Sequence, residues 1–268
     1  HPWLYRPFLF LADPILDSID KDFASALSFI IARDNSCRFC YSTFRTLLRL
    51  SNFSSDDLED LETHFSAQGF NREEEWGLRL AVRLSRCEGV SEALDRLQAL
   101  GYSDRAIREM AGVSVLNLAA NRIGTMLSIP VSTFEEMADR WYLQPWRTVA
   151  VPLLRLSRTW IDGQRSIPDE QGDGPLSAWS GTLRGTAVGG ILATFVEQWI
   201  DEGRPLSVET KLLMLGVVAR GVGAKTLENH LQTRLKEQHE VSADAVDAAL
   251  DHLGGTARSD RVGALLRL

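Results

Sequence analysis

The sequence predicts an all-α fold. Apolar residues recur at helical spacing through most of the chain, and capping residues or glycines stand where these segments begin and end. No segment combines alternating apolar and polar residues with the β-branched enrichment typical of strands. The chain also matches itself after a shift of 187 residues, and both matching parts have the pattern of three successive helices.

The first two predicted helices enclose a short turn. Residues 22–35 carry apolar side chains almost all round, which is typical of a buried helix. Asn35 and Ser36 are favourable N-cap residues, so a second helix is predicted over residues 37–50.

Further helices are predicted along both halves of the chain. Ser54 or Ser55 is expected to cap the third, because acidic residues follow in its positive first turn. The other segments share apolar residues at helical spacing: 73–84, 91–100, a short helix capped by Ser103, 113–129, one beginning at 132 or 133, 179–200 and 208–220. Gly189 and Gly190 are expected to let another helix approach closely.

Composition predicts two domains joined by a polar segment. Residues 164–176 are rich in Gly, Pro, Asp and Gln, which indicates a linker or a long surface loop. We place the first domain at residues 1–145 and the second at residues 146–268.

The internal repeat relates these two domains. A shift of 187 residues pairs residues 30–33 with residues 217–220 and needs no gap. It also pairs Cys37 with Ala224 and Cys40 with Leu227, so the second copy has no thiol at this turn. We interpret the pattern as a duplicated helical core, in which any cysteine chemistry belongs to the first copy.

Composition and charge restrict the function classes. The 268 residues are 44 % apolar and carry a net charge of −7, which argues against a nucleic-acid partner. The longest uncharged apolar stretch is shorter than the roughly 20 residues that cross a bilayer, so no membrane span is expected. The few cysteines fit a reducing compartment, and we expect a cytoplasmic protein. The chain begins with His1 instead of methionine, so we expect a processed or trimmed N-terminus.

The spacing of Cys37 and Cys40 is the main chemical signal. At the start of a helix, unpaired N–H groups and the positive dipole end favour a thiolate, and Arg33 and Arg38 add positive charge nearby. Spacing of i and i+3 puts both sulfurs on one helix face, where a disulfide can close and open. These residues suit dithiol–disulfide exchange or reduction of a peroxide.

Two other interpretations of the pair remain open. Cys37 and Cys40 can be small buried core residues, or half of a zinc site completed by Cys87 and His64. We expect neither a bound metal nor a cofactor. Cys87, in a polar stretch at a helix end, is expected to be incidental.

The turn around the cysteines resembles the core of the AhpD-like alkylhydroperoxidase and carboxymuconolactone decarboxylase family. The resemblance rests on residues 32–40 (ARDNSCRFC), 73–84, 97–107 and 116–123, and residues 206–268 resemble the core again more weakly. It implies an all-helical fold that associates as trimers, hexamers or dimers. Because the internal repeat puts two cores in one chain, we expect a homo-oligomer that is a dimer or a trimer. The resemblance also implies a peroxidase or disulfide reductase that a thiol or dithiol protein re-reduces, with Cys40 reacting with peroxide and Cys37 resolving it.

Both proton-relay positions of that family are replaced in this chain. The position of the family's histidine is Phe44, and that of its glutamate is Ser25, with Asp22 one turn earlier. General acid–base help is typically worth about 10²–10⁴-fold in rate, so weak peroxidase activity is expected. The remaining histidines are expected to be solvated or capping residues: His64, His230, His239 and His252. The alternative function is a catalytically degenerate helical assembly or ligand-binding module of the same family.

Overall fold

A computed structural model of the chain describes residues 16–66, 70, 74–126, 128–130, 183, 185–201, 206–221, 224–239, 244, 246–248 and 251. Within these ranges the regular elements are all helices and no strand occurs, which confirms the all-α class. In chain order they are α1 (Lys21–Asp34), α2 (Arg38–Leu50), α3 (Ser55–His64), α4 (Glu74–Ser85), α5 (Ser91–Ala99), α6 (Asp104–Met126), α7 (Ala187–Asp201), α8 (Val208–Gly221) and α9 (Lys225–His239).

The chain divides into two compact units. The first comprises His1–Glu170 with Leu183–Leu192, and the second comprises Gln171–Thr182 with Ala193–Leu268. The division expected between residues 145 and 146, the linker at 164–176 and the helix expected from 132 or 133 lie outside the described residues.

Helix α1 is the centre of the first unit. It begins at the N-cap Asp20, whose carboxylate accepts the backbone N–H of Asp22 at 2.7 Å, and it packs against α2, α4 and α6. The side chains from Phe23 to Ala32 are buried except for Ser25, as the nearly all-round apolar pattern predicted.

Helices α1 and α6 run side by side in the same direction. The Glu109 carboxylate accepts the backbone N–H of Ser18 at 2.9 Å, just before α1. Further along both helices, the Asn117 amide donates to the Ser28 carbonyl at 2.7 Å. The C-terminal turn of α6 therefore lies level with the end of α1 and the turn that follows it.

Helix α6 is continuous where the sequence predicted two helices, a short one after Ser103 and another over 113–129. Gly112 lies inside it, although a glycine is unfavourable in a helix interior. A Cβ at this position would lie 2.7 Å from a methyl carbon of Val188, so only a glycine lets α7 approach α6 here. The close approach was expected at Gly189, but that glycine instead faces the Leu183 carbonyl, which a Cβ would meet at 2.4 Å.

Substituting Gly77 by alanine is expected to destabilise the first unit. The new Cβ would lie 2.7 Å from the Phe23 ring and 3.1 Å from the Met110 sulfur, and both side chains are buried. Overpacking of this kind costs about 1–3 kcal/mol. Urea unfolding should show this loss, whereas Gly89→Ala, where a Cβ meets nothing within 4 Å, should be close to neutral. Equal stability of the two variants would contradict the expectation.

The second unit contains α8 and α9 with a small core of its own. The core residues are Ile200, Leu212, Ala219, Leu231, Leu235 and Val246. Subtracting 187 from the bounds of α8 gives 21 and 34, the bounds of α1, and subtracting it from Lys225 gives 38, the start of α2.

The turns between the paired helices also correspond. The Cys37 N–H donates to the Ala32 carbonyl at 3.0 Å, and the Ala224 N–H donates to the Ala219 carbonyl at 2.8 Å. These residues are 187 positions apart in each case, so the backbone of the cysteine turn has a counterpart without cysteines in the second unit.

Candidate functional site

Helix α2 begins one residue later than the sequence predicted, at Arg38 instead of Cys37. Asn35 caps the C-terminus of α1, and its side-chain amide donates to the Ile31 carbonyl at 2.9 Å. Ser36 follows with a left-handed φ of 55°, and the N-cap of α2 is Cys37 itself. The prediction of Asn35 or Ser36 as N-cap was wrong, because the turn is so short that both residues are used to end the preceding helix.

A disulfide joins Cys37 and Cys40 at the start of α2. Their Cα atoms are 5.4 Å apart, inside the usual range of about 4.4–6.8 Å. The backbone N–H of Cys40 donates to Cys37 Sγ at 3.4 Å, so one sulfur occupies the capping position at the positive end of the helix. The two residues are only 2 % and 4 % exposed, so a reactant must be small or the turn must open.

Gly124 of α6 lies against the disulfide. A Cβ at this position would lie 3.3 Å from Cys37 Sγ and 3.5 Å from Cys40 Sγ. Sequence reasoning missed this neighbour. The available signal was a glycine inside a long apolar helix, where close packing is a common reason for its presence.

The two replaced relay positions lie on different parts of the fold. Phe44 is buried in the core of the first unit, and the Ser25 hydroxyl donates to the Lys21 carbonyl at 3.0 Å within α1. Asp22, the nearest carboxylate to the glutamate position, accepts a hydrogen bond from the Ser51 hydroxyl at the far end of α2. Among the described residues, no carboxylate or imidazole hydrogen-bonds to either sulfur.

The two arginines expected near the sulfurs are placed differently from each other. The Arg33 guanidinium donates to the backbone carbonyl of Glu62 at the end of α3, and Arg38 is exposed in the first turn of α2. Neither hydrogen-bonds to a sulfur, so any contribution to thiolate formation is through charge at a distance.

An ion pair anchors the end of α1 next to this turn. The Asp34 carboxylate accepts hydrogen bonds from the Arg86 guanidinium at 2.9 Å and from the Ser85 hydroxyl at 2.6 Å. Burial acts to raise the pKa of Asp34, but these hydrogen bonds and the charges of Arg86 and Arg33 outweigh it, so the pKa is lowered. The Asp34 carboxylate is therefore a structural anion and is bound away from the sulfurs.

Three buried side chains of α2 and α6 have polar atoms without a hydrogen-bond partner. Both atoms of the Asn121 amide, the Asn117 Oδ1 and the Ser42 hydroxyl are in this state, and all three residues are at most 1 % exposed. Sequence reasoning did not identify them. The signal was Asn117 and Asn121, spaced i and i+4, on one face of an otherwise apolar helix segment.

None of the remaining candidates in the described ranges hydrogen-bonds to the cysteine pair. Cys87 is an exposed free cysteine with a left-handed φ of 55°. The Nδ1 of the exposed His64 lies 3.6 Å from an Asp60 carboxylate oxygen. Burial and the charge of Arg234 lower the pKa of His230, whose Nε2 has no partner. His252 lies outside the described residues.

The described ranges contain neither a cluster of metal ligands nor a helix that could span a membrane. No three His, Cys, Asp or Glu side chains there come together as metal ligands. None of the helices in those ranges is long and apolar enough to cross a bilayer.

Comparison with known proteins returns no similar sequence or structure. No protein-family model, curated protein or solved structure matches the chain.

Proposed function

We propose that the first unit is a thiol-dependent redox protein of the AhpD-like type that cycles between a Cys37–Cys40 disulfide and a dithiol. The observation that carries the proposal is the disulfide at the start of α2, with Cys37 Sγ accepting the N–H of Cys40. A hydrogen bond of this kind favours an anion at Cys37, the thiolate that resolves the oxidised partner and that leaves when the disulfide is reduced.

The oxidising half of the cycle consumes a hydroperoxide. The Cys40 thiolate attacks the terminal oxygen, the O–O bond breaks, and the leaving alkoxide or hydroxide takes a proton from water. The Cys37 thiolate then attacks the sulfur of the resulting sulfenic acid, the S–O bond breaks, and hydroxide leaves and is protonated to water. The products are the disulfide, an alcohol or water, and one further water.

The reducing half requires an external thiol or dithiol protein. Its thiolate attacks Cys40 Sγ, and Cys37 leaves as a thiolate that the Cys40 N–H stabilises. A second thiol of the donor then releases Cys40 and carries away the disulfide. The hydrogen bond at Cys37 therefore suits both its resolving role and its role as the leaving group.

The activity is proposed to be weak. Phe44 and Ser25 supply no general acid or base, and no carboxylate or imidazole of the described residues contacts the sulfurs. Protonation of the leaving group then depends on water, at a cost of about 10²–10⁴ in rate relative to a site with a relay.

The corresponding helix bounds support a tandem architecture. We propose that the second unit is a second AhpD-like core without the reactive group, because Ala224 and Leu227 replace the cysteines in an equivalent backbone turn. We further propose that the chain forms a dimer or a trimer, as the family resemblance implies.

A second candidate function is a helical assembly or ligand-binding module with idle cysteines. The burial of both sulfurs favours it, since at 2 % and 4 % exposure they meet little solvent. Titration of the thiols separates the two candidates.

The test uses the full chain carrying Cys87→Ser, so that only the pair can react. After reduction and removal of the reductant, iodoacetamide at neutral pH is expected to label the native protein, and equimolar hydrogen peroxide is expected to restore the Cys37–Cys40 disulfide. Mass spectrometry of peptides reads both reactions. If the native protein takes no label and forms no disulfide, while the denatured protein does take the label, the redox proposal is wrong.

A further inference from the structure

The face of α6 that lies along α1 and α2 contains a buried amide with no partner. Asn121 is fully buried, and neither its Nδ2 nor its Oδ1 makes a hydrogen bond within the described structure. Burying an amide without a hydrogen bond is unfavourable, and such groups in folded proteins usually meet a ligand or a water. The amide offers one donor group and one acceptor side by side.

The position of Asn121 relative to the sulfurs follows from helix geometry. Residues three apart lie on the same face with Cβ atoms about 5–6 Å apart, and Gly124, three residues later, directs its Cβ position to within 3.3 Å and 3.5 Å of the two sulfurs. Helical side chains lean toward the N-terminus, so the Asn121 amide lies back from Gly124. Neither sulfur is its hydrogen-bond partner.

The unpartnered amide and the sulfurs are both available to one small molecule. Asn121 is one helical turn from Gly124, which lies against the disulfide, and hydrogen bonds from one molecule to the amide and to a sulfur would each span about 3 Å. Because Asn121, Cys37 and Cys40 are all buried, the molecule must be small. A molecule with an O–H beside a second oxygen matches the donor and acceptor of the amide.

We propose that Asn121 positions the hydroperoxide for attack by the cysteine pair, an inference that rests on the proposed function. Its Oδ1 accepts the O–H of the terminal oxygen, which the thiolate attacks, and its Nδ2–H donates to the oxygen that leaves. When the O–O bond breaks, the leaving oxygen takes the electron pair, the amide hydrogen bond stabilises its charge, and water supplies the proton. The amide orients the hydroperoxide and stabilises the charge on the leaving oxygen, and it transfers no proton.

The test compares two electrophiles on matched variants. The reduced full chain with Cys87→Ser is mixed with hydrogen peroxide or with iodoacetamide, and the ratio of the two rate constants is measured. Asn121→Leu is expected to lower this ratio about tenfold, because alkylation needs the thiolate but no oriented peroxide. Asn117→Leu is the matched control. That asparagine is also buried on α6, but it lies one turn further away and donates to the Ser28 carbonyl. The ratio of the two rate constants for Asn117→Leu should equal that of the parent.

Thermal unfolding separates this role from a structural one. Replacing an unpaired buried amide by leucine is expected to leave the melting temperature equal or higher. If Asn121 instead holds a structural water, Asn121→Leu will melt at a lower temperature and its ratio will not change, and the inference is wrong. If that variant does not fold, Asn121→Ala is read in the same way. A parent protein that reacts with neither reagent overturns the proposed function itself, whereas a reactive parent with an unchanged ratio overturns only the role of Asn121.

Discussion

Replacement of Cys40 by serine is expected to abolish hydroperoxide turnover, with a fall of about 10³-fold or more to the background of the free peroxide. A serine hydroxyl is not ionised at neutral pH and cannot form the disulfide that ends the oxidising half-cycle. Turnover is measured as peroxide consumed per protein in the presence of a small dithiol.

Replacement of Cys37 has a different expected signature. Cys37→Ser retains the proposed attacking sulfur, so without added reductant it should consume about one equivalent of peroxide and stop at a sulfenic acid, which dimedone traps. Cys87→Ser is the control and should keep full turnover, because Cys87 is exposed and lies outside the pair. A sulfenic acid trapped in Cys40→Ser but not in Cys37→Ser would reverse the assigned roles.

Much of the local structure could be predicted from the sequence. The helical period placed the buried helix α1 within one residue of its observed bounds, and the Ser54 cap of α3 was among the predicted alternatives. Both features depend on side-chain chemistry within one or two turns of the chain. The capping box at Ser54, where the Asp57 carboxylate accepts the Ser54 N–H at 2.8 Å, is such a local interaction.

The surroundings of the sulfurs could not be predicted in the same way. Cys37 and Gly124 are 87 positions apart, and their contact depends on the parallel packing of α1 and α6, which a single sequence does not encode in any local pattern. The break expected before Val113 had a similar cause. Gly112 lies at that expected boundary inside the continuous helix, and packing against Val188, which is distant in sequence, explains why a glycine is placed there.

The two units stabilise their equivalent turns with different chemistry. In the first, the Arg33 guanidinium donates to the Glu62 carbonyl, and the Tyr41 hydroxyl donates to the Glu62 carboxylate at 2.5 Å. In the second, Arg220 occupies the position of Arg33, and Glu228 that of Tyr41. Arg220 and Glu228 form an ion pair of 2.7 Å. In the first unit each charged group therefore bonds to a neutral one, whereas in the second unit two opposite charges bond to each other.

Replacement of Arg220 by methionine is consequently expected to destabilise the second unit by about 3 kcal/mol, since removing one partner of a buried pair leaves the other charge uncompensated. Arg220 also donates to Asp247 at 2.7 Å and to Asp251. Among the described residues, Glu228, at 5 % side-chain exposure, would keep the exposed Lys225 at 3.3 Å as its one cationic partner. Hydrogen exchange of the α8 and α9 amides measures the loss unit by unit.

The pH dependence of this loss has a defined sign. The hydrogen bond from Arg220 lowers the pKa of Glu228 below its ordinary value of 4.5, although burial opposes the shift. The pair therefore contributes its full stability above about pH 4.5 and loses it as the pH falls through the lowered pKa. The difference in stability between the parent and Arg220→Met should be constant near neutral pH and shrink in acid.

The double variant Arg220→Met with Glu228→Leu removes both charges, so it should recover most of the lost protection against hydrogen exchange. A double variant as unstable as Arg220→Met alone would show that packing of the guanidinium stem, and not the ion pair, holds this turn together.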